Sequence, residues 1–240
     1  ATTWMCKSLN AHPEVAAFGE SLFWGRRYLP PEKDGRYSRA HLDKLYEFHK
    51  GGVMIHSVDG EGPGRLRRLN RANMPELLRE AFEKAGDRPT PAELFQEIAA
   101  MVGRTEGKPV VVEKTPHHLR WIDRIEAALP GSRYIIMIRD PYGFMLSYKH
   151  QGDRKSGEIR KSFELRWHPI ACALVWRSYM RATRAAQRRC GDRALVVRFA
   201  DVKSDPGRVL DEAQQLLGVQ RVDLSGVVPR DNSSFPSERP

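Results

Sequence analysis

No stretch of this chain is apolar for long enough to span a bilayer. The longest apolar runs, YIIMI (134–138) and IACALVW (170–176), fall far short of the roughly 20 residues that a spanning helix needs. Cysteine is scarce too. Cys6, Cys172 and Cys190 are an odd number without C-x-x-C spacing, which argues against a disulfide framework or a zinc site and favours a reducing compartment such as the cytoplasm. The opening residues, Ala1-Thr2-Thr3-Trp4, carry neither the basic stretch nor the apolar run of a signal peptide. They read as the middle of a motif, and the closing NSSFPSERP ends without a terminating element, so truncation at both ends is expected. No internal repeat and no low-complexity tract is visible.

What is present is an ordinary globular composition, 40% hydrophobic and 29% charged, which excludes a disordered, collagenous or wholly coiled-coil chain. At 240 residues, one mixed α/β domain over 1–240 is the natural reading. Forty Lys and Arg against 30 Asp and Glu leave a net charge of +10, which steers anionic partners: a nucleotide, a nucleic acid or an acidic substrate.

Helical spacing of Leu42, Leu45 and Tyr46, and of Leu77, Leu78 and Phe82, predicts helices over 37–50 and 74–86, with a Gly-rich mobile loop or insertion over 51–64 between them. Thr90 caps a helix that has Pro91 at its first position. The segment VAAFGESLFWGRRYLPP, from Val15, reads as loop. Fold class is decided further on. PVVVE (109–113), RYIIMI (133–138) and ALVVRF (194–199) are short apolar strands separated by helices that open at Thr115-Pro116, Asp140-Pro141 and residue 169. A last helix runs from Asp205-Pro206 to Leu217-Gly218. Such alternation predicts an α/β fold, a three-layer parallel sheet with helices on both faces and ligands at the carboxyl ends of its strands. Lys114 and Arg139 stand at two of those ends, and Thr2-Thr3 precede the first helix, so an anionic ligand is the natural occupant.

At these residues the chain resembles the sulfotransferases that use 3′-phosphoadenosine 5′-phosphosulfate (PAPS). Their phosphosulfate loop reads S-G-T-T-W, followed by HP-x-V and often G-E; here A-T-T-W is followed by HPEV (12–15) and Gly19-Glu20. Their 3′-phosphate motif, an Arg ending a strand with a Ser eight residues later, is matched by Arg139 and Ser147 in YIIMIRDPYGFMLS. EKTP (113–116) resembles a stretch of the carbohydrate branch. The family's first strand and the residues ahead of its Thr-Thr have no counterpart, and its Gly is Ala1.

The resemblance implies a P-loop nucleotide-kinase-like fold, PAPS as donor, PAP as co-product, and a hydroxyl or amine of a small molecule or carbohydrate as acceptor. It implies that Thr2, Thr3, Arg139 and Ser147 bind the donor, that Trp4 and Phe199 flank the adenine, and that Lys114 neutralises the leaving group without a metal. Two bases remain open, Glu20, the preferred one, and His117 beside His118 in the first turn of a helix. His12 reads as structural, and Asn232-Ser233-Ser234 as a chance glycosylation sequon. Two other classes stay open. A P-loop kinase would need G-x-x-x-x-G-K-[ST], which is not visible, and a basic nucleic-acid-binding module would need a stripe of cations with interleaved aromatics.

Overall fold

The computed structural model describes residues 2–50, 54–55, 74–150, 157–158, 161, 167–224 and 226. Most of the loop expected over 51–64 lies outside them, as does the sequon. Among the described residues no helix is long and apolar enough to cross a membrane.

Helix α1 (Thr2–Asn10) leads through the HPEV turn into strand β1 (Val15–Gly19). The turn is tied by His12, whose Nδ1 accepts from the Glu14 N–H at 3.0 Å while its Nε2 lies 2.7 Å from the Gln220 carbonyl oxygen. The assignment of Val15–Gly19 to a loop is therefore corrected. All five residues are buried, and the strand pairs parallel to β3 (Val110–Lys114) on one side and antiparallel to the short β2 (Met54–Ile55) on the other. Ala16 and Phe18 face a core cluster built with α2 (Arg39–His49), α3 (Met74–Lys84) and α4 (Pro91–Glu106), whereas Val15 faces Trp4, Met5 and Leu9 of α1. Alternation with period two across a strand buried on both faces is what VAAF encodes, with Val15 alone of the β-branched residues that advertise a strand.

After β3 come a 3₁₀ turn (Pro116–Trp121), α5 (Ile122–Ala128), β4 (Tyr134–Ile138), α6 (Pro141–Lys149) and the long α7 (Pro169–Cys190). Strand β5 (Ala194–Arg198), α8 (Phe199–Ser204) and α9 (Pro206–Leu217) follow. Hydrogen bonding divides the strands into two sheets, β2-β1-β3 and the parallel pair β4-β5. One layer of core spans both. Val15, Val110 and Val112 of the first sheet share a cluster with Ile135, Met137, Leu195 and Val197 of the second, closed by Trp4 of α1 and by Val209, Leu210 and Ala213 of α9. The opposite face of the second sheet packs on Ile122 of α5 and on Ala186 and Cys190 of α7. Between the inner edges of β3 and β4 runs a cleft of about 920 Å³, lined along its length by Val110–Lys114 and Tyr134–Ile138.

Candidate functional site

Strand register builds the site. Pairing of β1 with β3 sets Gly19 opposite Lys114, so Glu20 leaves the sheet beside the lysine. The approach is close enough that a Cβ at Gly19 would run into the Lys114 carbonyl, which explains glycine there. The Lys114 ammonium donates to Glu20 Oε1 at 2.5 Å. The pair is lopsided: the lysine side chain is 9% exposed, the glutamate 42%. A nearly buried cation thus holds a carboxylate that solvent, or an acceptor, can still reach.

Pairing of β4 with β5 does the same on the other side of the cleft. Ile138 is set opposite Arg198, which leaves Arg139 beside Phe199, its Cζ 4.6 Å from the ring centroid. The Arg139 carbonyl accepts from the indole N–H of Trp176 on α7 at 2.9 Å. Its Nε is buried without a hydrogen-bond partner among the described residues, a donor available to an acceptor that the fold itself does not supply. Gly143 gives this side chain room, because a Cβ there would lie 2.9 Å from Arg139 Nε. Helix α6 starts at Pro141, capped by Asp140, whose carboxylate accepts from the Gly143 N–H at 2.6 Å. The run 140–143 is therefore a capped first turn.

Thr2, Glu20, Lys114, His117 and Arg139 all line the cleft. Four other expected residues do not. Thr3 is half-buried on α1, Trp4 packs in the core beneath it, Ser147 is half-buried two turns into α6, and Phe199 lies under Arg139 and Lys203. The thiol of Cys6, also on the cleft wall, is pushed up to about 12, chiefly by burial, against the pull of Lys114.

Behind Glu20 lies a buried clamp that residue spacing does not foretell. The Glu113 carboxylate accepts from the Ser21 N–H at 3.1 Å, the Ser21 hydroxyl at 2.7 Å and the Thr115 hydroxyl at 2.5 Å. Its other oxygen is 3.0 Å from His118 Nδ1. Since His118 Nε2 accepts from the Trp24 N–H at 3.3 Å, the ring proton sits on Nδ1 and faces the carboxylate. Burial works to raise the Glu113 carboxyl, yet the bonds from His118, Thr115 and Ser21 outweigh it and hold the group below the usual carboxylate range. The clamp fixes the loop that carries Glu20, including Leu22 at a left-handed φ of 58°.

His117 occupies the 3₁₀ turn with its Nδ1 2.7 Å from the hydroxyl of Tyr179, a residue of α7 that sequence patterning did not single out. Burial, then the charges of Arg26 and Arg120, keep His117 below its ordinary value. A protein-family model described as "Sulfotransferase family" matches residues 1–223. No curated protein and no solved structure matches the chain.

Proposed function

The chain belongs to the sulfotransferase family, and on that premise we propose that it moves a sulfuryl group from PAPS to a hydroxyl or amine of a small-molecule or carbohydrate acceptor. The observation that carries this reading is the Glu20–Lys114 pair, a solvent-reachable carboxylate held by a nearly buried ammonium at the carboxyl ends of parallel strands. Arg139, with its unpartnered Nε across the same cleft, fits an anionic donor.

PAPS, when bound, supplies a sulfuryl group on a phosphate leaving group, and PAP remains after transfer. The chain's own groups do the rest. Lys114 and the N–H groups of the α1 turn at Thr2 and Thr3 hold negative charge as it grows on the leaving oxygen. Arg139, with Ser147 of α6, takes the 3′-phosphate through its planar fork of donors. Trp4 and Thr3 keep α1 seated on the sheet so that Thr2 meets the donor, and Phe199 with Arg139 bounds the nucleotide. Glu20 accepts the proton that the acceptor oxygen gives up as it bonds to sulfur. His117, turned toward Tyr179, contacts the acceptor instead. We further read the two sheets as parts of one three-layer, P-loop-like domain over 1–240, which the core layer common to both supports, and place the protein in the cytoplasm.

Separate calorimetric titrations of PAP, ATP and an oligonucleotide test this directly. PAP is expected to bind and Arg139→Ala to weaken it by about 1.5–3 kcal/mol, the value of a charge-assisted contact. Preference for ATP would favour a kinase, and preference for the oligonucleotide a nucleic-acid-binding module.

A further inference from the structure

Outward from Glu20 the mouth of the cleft turns basic. Arg26, at the end of the loop that the clamp holds, and Arg120, in the 3₁₀ turn, are both exposed. Arg120 Cζ stands 4.6 Å from the ring centroid of Tyr179, the residue whose hydroxyl meets His117. Arg26 and Arg120 both act on His117 and on Tyr179, and His117 also feels the charge of Glu20. The loop that carries Arg26 packs on the turn that carries Arg120, with the Trp24 N–H on His118 Nε2 at 3.3 Å and Gly25 against Trp121, so these groups share one neighbourhood. Beside it Arg124 is stacked 3.8 Å from the Tyr28 centroid and 4.4 Å from that of Trp121, whose exposed ring lies over Gly25.

Some surface arginines meet carboxylates, Arg36 with Glu93, Arg88 with Asp34, Arg104 with Glu97 and Arg208 with Glu212, while others such as Arg177, Arg181 and Arg184 on α7 do not among the described residues. Arg26, Arg120 and Arg124 meet none among the described residues. Nor do these three line the cleft with Thr2, Lys114 and Arg139; Arg26 follows the lining residue Trp24 by two positions, and Arg120 follows the lining pair His117-His118. Guanidinium groups gathered without counter-charge repel one another, and an incoming anion relieves that repulsion.

We infer that Arg26 and Arg120 form a subsite for an acidic group of the acceptor, a carboxylate or a sulfate ester near the hydroxyl that faces Glu20. The guanidinium fork matches such a group with paired donors, and Trp121 offers a flat face to the ring that bears it. An acceptor that joins an acid to a sugar or aromatic ring fits both features. This rests on the sulfotransfer reading only for the role of Glu20.

The test compares two probes that differ at one carbon: 4-nitrophenyl β-glucuronide, which carries a carboxylate, and 4-nitrophenyl β-glucoside, which does not. Each is titrated into the protein with and without saturating PAP. The glucuronide is expected to bind about tenfold or more tighter, with the difference abolished in Arg26→Gln/Arg120→Gln while that variant keeps its thermal midpoint and PAP affinity. Equal binding of the two glycosides, no binding of the glucuronide, or a preference that survives the double substitution overturns the subsite. Failure of PAP to bind overturns the donor reading alone, because the glycoside comparison without PAP still decides this one.

Discussion

A carboxylate that must take a proton does best where its charge is held but not consumed. Glu20 meets both demands, since its partner Lys114 is nearly buried while the carboxylate itself faces the cleft mouth. Glu20→Gln keeps the shape and the bond to Lys114 but removes basicity, so turnover should fall about 100-fold or more with PAP affinity nearly unchanged. His117→Ala should be mild by the same measurement. The reverse pattern in steady-state kinetics would move the proton to His117. Neither the Glu20–Lys114 contact nor the His117–Tyr179 contact follows from residue spacing. They join positions 94 and 62 apart in the chain, and a family likeness could suggest the first only because its motif names both residues.

Elements whose signals are local were legible in advance. Thr90, Pro91 and Glu93 write out the start of α4, and both halves of its capping box are formed. Strand β1 was not legible, because Ala-Ala-Phe-Gly owes its conformation to β3, some 95 residues further on in register. The clamp behind it was hidden for the same reason: Ser21 meets Glu113 only once β1 and β3 are side by side. His118→Leu should expose what the clamp is worth. It leaves the buried Glu113 carboxylate without its ring N–H and the Trp24 N–H without an acceptor, a loss of about 3 kcal/mol in denaturant unfolding. Stability within about 0.5 kcal/mol of the parent would show that the network is ornamental.

Over the whole molecule, acid should act through groups that the fold keeps from their ordinary protonation state. His49 is fully buried and stacked on Phe23; burial first, and the charge of Arg27 second, bring it down to about 3 from the usual 6.5. A histidine depressed in the native state binds its proton more readily when unfolded. Its contribution is therefore intact above pH 6.5 and is lost as pH falls toward 3, at about 1.4 kcal/mol per unit. Glu113 and Glu126, both held low in the native state, add to the loss only at more acidic pH. Thermal midpoints measured from pH 7 to 4.5 should decline in the parent and stay nearly level in His49→Leu; parallel curves would clear His49 of the effect. The cleft between the sheets bears on colloidal behaviour. The inner edges of β3 and β4 find no strand partner among the described residues, and the runs along them, VVV of β3 ahead of Glu113-Lys114 and YIIMI of β4, hold no charge and no proline. Edges of that kind are templates for other chains, and what shields them here is mutual enclosure, which loosens as soon as the sheets part. Warming below the unfolding midpoint should therefore produce concentration-dependent light scattering and thioflavin-T fluorescence before helix content falls, whereas a chain that stays monodisperse until its helices melt would mean the edges are already shielded.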